Sequence, residues 1–323
     1  MALTKERPLA AERASVAGRP PSPRRTTRPQ FRITVWLALL PLIAVLGAFA
    51  YFPALSSIFW SFFNWVPAGV STFLGGANYA RMMSDDTWWH SFGNLGIIFV
   101  FNLASWILPL LAAELLVTLK SDRWQYVIRT LLIIPMAFPG VVTALIWGFF
   151  YDPNAGLFNQ FLRAIGLKAF EQNWTGSPST ALVALLLVGF PFIAGLPFLI
   201  FYQSLQNIPK EVLEAAQLDG VGRWARLWRI DLPLMVSQIR ILFFLVVVAT
   251  LQYGFVAFVL TSGGPDNATM VPVLYIINQA FSAGDWGYAA TLSTTLFAIT
   301  LALSLFSLFI GRRSAGANDG GEM

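Results

Sequence analysis

Few residues in this 323-residue chain are equipped for covalent chemistry. His90 is its one histidine and cysteine is absent, so thiolate metal sites, disulfides, catalytic thiols and histidine-based triads lack their groups. Neither G-x-x-x-x-G-K-[ST] nor G-x-S-x-G occurs, which removes a phosphate-cradling loop and a nucleophile elbow. No catalytic residue and no metal site are expected. What remains is chemistry of recognition. Asn102, Ser105, Gln252, Tyr253, Ser293, Thr294 and Thr295 are polar groups inside apolar segments, interleaved with Trp106, Trp147 and Phe190. Amides bind hydroxyls and aromatic faces cover C–H patches, so Asn102, Trp147, Phe190, Gln252, Tyr253 and Thr294 are candidates to line a sugar pathway. Hydrogen bonding between helices explains each of them singly. Glu114 and Arg240 are the formal charges lying well inside apolar segments, and their similar depth allows a pair between them.

These residues must be held by membrane helices. The chain is 56% hydrophobic and only 11% charged, against about 25% charged in soluble domains. A helix crosses the hydrocarbon layer with about 20 apolar residues, and six segments qualify: Ile33–Phe52, Leu95–Leu119, Leu131–Phe150, Ala181–Tyr202, Met235–Leu260 and Tyr288–Ile310. Pro135, Pro139 and Gly140 interrupt the third; Gly189, Pro191, Gly195 and Pro197 interrupt the fourth. Such breaks often line a pathway, although Gly and Pro are also common in membrane helices generally. All lysines and arginines except Arg81, Arg163 and Lys168 fall on one side of this arrangement. The positive-inside rule makes that side, with both termini, cytoplasmic. The net charge of +5 is then a topology signal and implies no nucleic-acid partner. Residues 1–30 read as a disordered basic cytoplasmic tail, 31–312 as the membrane domain and 313–323 as a flexible cytoplasmic C-terminus. The "GAFA" at 47–50 offers a small-x-small cleavage pattern, but the length of the first span favours an uncleaved helix. The external loop 61–92 is aromatic (Trp65, Phe73, Tyr79, Trp88, Trp89) and reads as an interfacial belt. The loop after Tyr151 suggests a short amphipathic helix.

One cytoplasmic segment stands apart. Residues 207–233 carry "IPKEVLEAAQLDGVGRWARLWRIDLP". Pro209 suits a first helical turn, Glu211 faces the positive end of the dipole, and Gly220 is a natural helix stop. Beyond it Trp224 and Trp228 share one helical face, and Arg223, Arg226 and Arg229 share another. Pro233 opens the next span. The pattern predicts a rigid protrusion: helix, glycine corner, short amphipathic helix, proline.

This segment resembles the EAA loop of ABC-importer permeases, E-A-A-x-x-D-G-x(9)-I-x-L-P. Glu214, Ala215, Ala216, Asp219, Gly220, Ile230, Leu232 and Pro233 match it; Leu227 stands where many relatives carry Phe. "FYQSLQNIPKEVLEAA", "IPMAFPGVVTALIWGFFYDPNAGLFNQFL" and "LTSGGPDNATMVPVLYIINQAF" are similar to the sugar-permease branch, of the maltose and glycerol-phosphate type, and the similarity covers roughly residues 33–312. The resemblance implies an all-α integral membrane protein of the type I permease fold, with six transmembrane helices and a cytoplasmic coupling-helix loop. It implies a multi-pass subunit of the bacterial inner membrane, working with an ATP-binding cassette ATPase dimer, a second, non-identical permease and an extracytoplasmic solute-binding protein. ATP and Mg would be bound by the ATPase and no cofactor by this chain. Glu214, Ala215, Ala216, Asp219, Gly220, Trp224, Leu227, Ile230, Leu232 and Pro233 would make the ATPase contact. Two rival readings differ in class. An ion-coupled secondary transporter predicts acidic residues deep in the spans, where only Glu114 comes close; a non-transporting scaffold has no use for broken spans with a polar lining. With Arg240 the one cation near a span, a neutral sugar is favoured over glycerol phosphate.

Overall fold

The computed structural model describes residues 33–191 and 194–318; the basic tail at 1–30 lies outside the described residues. The chain divides at Phe52 into two units. In the first, α1 (Ile33–Leu46) runs into a five-residue π turn, Gly47–Tyr51. Its described side chains are almost all exposed. A helix apolar on every side suits lipid, where no polar face is needed.

The second unit holds the rest. After α2 (Phe52–Trp60), β1 (Phe63–Asn64) and β2 (Thr72–Phe73) form a small antiparallel hairpin, pairing Phe63 with Phe73. A Cβ on Gly287 would sit against the Phe63 carbonyl, so only glycine admits the hairpin backbone so close. Then follow α3 (Ala77–Met83), α4 (Asp86–Ala104) and α5 (Ile107–Val117). The Asp85 carboxylate accepts from the Trp88 N–H at 3.1 Å and so starts α4 nine residues ahead of the expected span. Trp88 is fully buried, packing edge-on to Phe92, and Trp65 stacks on Trp60 at 5.4 Å. For Trp88 the expected interfacial belt is therefore replaced by core packing. Hydropathy cannot separate a wet aromatic from one covered by a distant helix.

The expected third and fourth spans are broken. Helix α6 (Asp122–Ile133) continues as a 3-10 turn to Ala137, and α7 (Gly140–Phe150) leaves at 90°. Pro139 has no N–H to give and holds Phe138 extended (ψ 131°), which ends the helix. After α8 (Leu157–Ala164), the amphipathic helix expected beyond Tyr151, the fourth segment consists of α9 (Pro178–Leu187) and α10 (Gly195–Gln206). Gly189 between them has φ +89°. The cassette contributes α11 (Lys210–Leu218), α12 (Arg223–Arg226) and α13 (Leu232–Leu234). It is followed by α14 (Val236–Leu251), α15 (Phe255–Leu260), α16 (Pro272–Ile277) and α17 (Trp286–Asn318). The backbone of α17 stays helical to Asn318, into the stretch expected to be unstructured from 313; its Arg and Ala residues are good helix formers. The result is a mostly helical membrane protein. Among the described residues four helical stretches, Trp36–Trp60, Asp86–Val117, Val236–Leu260 and Trp286–Phe306, are long and apolar enough to cross a bilayer, and the bent pair, counted as one span, makes a fifth.

Two buried clusters organise the spans. One joins the Asp86 end of α4 to α16 and α17 through Trp88, Leu95, Leu274, Tyr288 and Leu292. The other joins α5, α10 and the cassette through Ala113, Leu116, Phe201, Ile208 and Met235.

Candidate functional site

The cassette is built as its residue order predicts, up to one deviation. Pro209, extended at ψ 136°, turns the chain out of α10 and begins α11. At the other end the Val221 N–H bonds the Ala216 carbonyl at 3.0 Å and the Gly220 N–H bonds the Gln217 carbonyl at 3.1 Å. That is a Schellman closure, with Gly220 in the left-handed position at φ +69°. Around this corner the surface is apolar and open: Leu218, Trp224 and Trp228 are 89%, 67% and 68% exposed. Glu214, Ala215, Asp219 and Gly220 are exposed beside them, and Pro233 is exposed at the far end. Ala216 and Leu227 are buried, and Ile230 and Leu232 partly so, forming the inner side.

The deviation is a π turn at Leu227–Asp231, closed by the Leu232 N–H on the Leu227 carbonyl. Pro233 follows directly. Its ring in a regular α-helix would press on the Arg229 carbonyl, and the wider turn makes room. The π turn changes which residues share a face. Arg226 and Asp231 are five apart, about 140° apart on a regular α-helix of 3.6 residues per turn; here they meet. Arg226 Nε donates to Asp231 Oδ2 at 2.9 Å, and its Nη2 donates to Glu114 Oε2 of α5 at 3.3 Å. Asp231 is fully buried and the Glu114 side chain is 16% exposed. The allowed Glu114–Arg240 pair does not form: Glu114 takes Arg226, and Arg240 is exposed. Nor do the three cassette arginines share an outward face, since Arg226 turns inward while Arg223 and Arg229 stay out. Asp231 and Arg226 are thus site residues that sequence reasoning passed over. The available signal was Pro233 a few residues downstream.

The pathway candidates scatter more. Asn102 donates to Thr250 Oγ1 at 3.4 Å, and Gln252 is exposed close after it. Tyr253 is partly buried, as is Thr294, whose hydroxyl is buried without a hydrogen-bond partner. Phe190 is exposed at the break of the fourth segment. Trp147 is enclosed by Phe150, Tyr151 and Phe158, with ring centres 5.6–5.8 Å away. Trp147 thus belongs to an aromatic cluster of its own, and Tyr253 packs against the cluster that includes Trp88 and Leu274.

A second polar cluster lies where α4 begins. Asp85 accepts from the hydroxyls of Tyr275 (2.7 Å) and Tyr288 (2.6 Å). Arg81 pairs with Asp285 and lies over the Tyr288 ring at 3.8 Å. Burial alone would raise the Asp85 carboxyl, but the two tyrosines and the backbone N–H groups of Trp88 and Thr87 hold it below the usual range. Burial, then the Asp85 bond, pushes Tyr275 up to about 12. Nearby, Asn94 donates to the carbonyls of Asn267 (3.3 Å) and Met270 (2.9 Å), tying down the Gly-Gly-Pro loop.

Comparison with known proteins fits this architecture. Residues 105–314 match the family described as binding-protein-dependent transport system inner membrane component. The chain is 32% identical over 285 residues to the probable ABC transporter permease protein YurN of Bacillus subtilis, covering 86% of this chain and 96% of that one. It is 33% identical over 290 residues to the sn-glycerol-3-phosphate transport system permease protein UgpA of Brucella abortus, covering 87% and 96%. To the diacetylchitobiose uptake system permease protein NgcF of Streptomyces coelicolor it is 28% identical over 321 residues, covering 95% and 90%. Its fold resembles a chain of a bacterial ABC transporter that imports the polysaccharide alginate, with a TM-score of 0.75 at 21% identity, over 87% of this chain and 96% of that one.

Proposed function

The chain belongs to the binding-protein-dependent transport system inner membrane components, the multi-pass, non-catalytic permease subunits of ABC importers, and from that premise we propose that it forms one half of a sugar pathway driven by a separate ATPase through the 207–233 cassette. The observation that carries the coupling role is the corner itself. A glycine-closed turn holds Leu218, Trp224 and Trp228 out in the open, and exposed aromatic anchors on a rigid frame are what a protein partner's cleft takes up. Glu214 and Asp219 add charge at its rim. The inner residues Ala216, Leu227, Ile230 and Leu232 root it in the helices that must move.

In this reading six segments cross the membrane, the two broken ones included, and both termini and the cassette are cytoplasmic. An ATPase dimer binds ATP and Mg, and a second permease completes the pathway. An extracytoplasmic binding protein delivers the solute; the alginate importer, with the same fold, was solved with such a protein bound. A neutral saccharide is the solute. The relative named for diacetylchitobiose uptake and another named for trehalose and maltose transport support that class. The cations nearby are few: Arg226 is held by two carboxylates, and Arg240 is the one cation near a span. Asn102, Gln252, Tyr253, Thr294 and Phe190 line the pathway, and Trp147 supports it from its aromatic cluster.

The test is affinity purification of the tagged chain in mild detergent with mass spectrometry of its companions. An ATPase and a second permease in stoichiometric amounts are expected. A chain recovered alone that still moves a sugar under an ion gradient would sink the reading.

A further inference from the structure

The cassette is tied to the membrane helices in two chemically different ways. Ile208, at its start, and Met235, just after it, belong to the same buried cluster as Ala113 and Leu116, which flank Glu114 on α5. Apolar contact of this kind is non-directional and lets surfaces slide. The tie through Arg226 does not slide. Two different nitrogens of one guanidinium reach two carboxylates, Nε to Asp231 inside the cassette and Nη2 to Glu114 in the second span. A planar fork gripped through two of its nitrogens fixes direction as well as distance. Stability alone explains the arrangement poorly. One cation faces a buried and a partly buried carboxylate, and Glu114 Oε1 and Asp231 Oδ1 have no hydrogen-bond partner; a half-satisfied network of this kind is commonly no better than an apolar core.

We propose that Glu114 is a positioning residue of the transport cycle: through Arg226 it locks the cassette to the second membrane span, so that a displacement at the Gly220 corner moves α5. This rests on the reading of the cassette as the ATPase contact. Glu114 touches neither ATP nor solute. It acts by making Arg226 a strut between a moving cytoplasmic element and a helix whose other half carries Asn102. Without the strut, the corner would be displaced while α5 slipped along its apolar neighbours.

The experiment is solute transported per ATP hydrolysed, in proteoliposomes of the co-purified complex, with radiolabelled maltose, trehalose and diacetylchitobiose as probes. In E114L and R226K the ratio is expected to fall at least tenfold, because leucine offers no acceptor and lysine cannot span both carboxylates. E114Q, which keeps an acceptor without the charge, falls less. The chain has no cysteine, so E114C combined with R226C gives a readout that a general packing defect would not move. The unlinked double variant is uncoupled, a reversible bifunctional thiol linker restores the ratio, and reduction of the linker abolishes it again in the same folded complexes. If E114L fails to assemble, R226K and the linked pair decide. Ratios within twofold of wild type in R226K, or a formed link that restores nothing, overturn the proposal while leaving the importer reading intact. A wild-type chain that brings down no ATPase overturns the importer reading and this proposal with it.

Discussion

Gly220 needs its hydrogen atom for backbone reasons alone. Nothing lies within 4 Å of where a Cβ would be, yet φ is +69°. Alanine there should therefore cost about 1 kcal/mol locally and leave transport largely intact. Proline cannot adopt that φ and removes the N–H bonded to Gln217. We expect G220P to insert normally and to lose coupled uptake, read as solute accumulation against ATP hydrolysis; full uptake would remove the corner from the mechanism. Asp85 supports a prediction in pH. Its folded carboxyl lies below the ordinary value, so its stabilising effect is complete above the unfolded value of about 4 and is lost as pH falls through the folded one. Thermal unfolding of the detergent-solubilised chain from pH 7 to 3 should show that acid decline, and D85N should flatten it. Identical profiles would assign the decline to other carboxyls. At this scale the sequence was legible where a residue answers to its own backbone, as Gly220 does. It was misleading where the answer lies across the fold: Glu114 meets Arg226, 112 positions away.

The elements show why the arginine face was misjudged. A 3.6-residue period says which of Arg223, Arg226 and Arg229 are neighbours on the helix, not which of them a carboxylate draws inward: Arg226 turns in to Asp231, brought round by the π turn at Leu227–Asp231, and to Glu114 of α5. The breaks in the third and fourth spans were visible as prolines and glycines, whereas the 90° bend before Gly140 depends on packing that no local pattern encodes. Start sites were displaced too, α4 beginning at Asp86 because Asp85 caps it. One tertiary tie is open to direct test. Asn94 on α4 holds two carbonyls of the 261–271 loop. N94A orphans both at a cost of about 1–3 kcal/mol, so amide exchange in that loop should rise about tenfold or more. Hydrogen–deuterium exchange reads this, and unchanged protection would make the tie incidental.

On the scale of the whole molecule, composition carried the membrane reading, since the membrane leaves a chain few options, and charge placement added an orientation that is open to test. Apolar side chains remain exposed along most helices, Phe49, Phe149 and Leu115 among them, as a surface facing lipid requires. The cysteine-free background makes sidedness measurable. V70C on the hairpin and Q217C beside the corner, both at exposed positions, should react oppositely with an impermeant maleimide. V70C labels in intact spheroplasts and Q217C only after permeabilisation; the reverse pattern would invert the topology. Assembly is the second whole-molecule test. If Trp224 and Trp228 anchor the ATPase, the W224A/W228A variant should lose at least 2 kcal/mol of binding, about 30-fold, and co-purify little ATPase, while lipid insertion stays normal.

The Leu227–Asp231 π turn also sets how this chain tolerates changes of length. Removing or adding one residue between Arg226 and Pro233 would swing Asp231 about 100° around the axis and take it away from the guanidinium. The hairpin tip at Val66–Ser71, where Val70 is 88% exposed, has no such phase to keep, and loop closure grows costly only slowly with added residues. Deletion and insertion scanning should therefore find the tip permissive and the segment from Arg226 to Pro233 closed to any change in residue number, including by amino acids that fold equally well as helix.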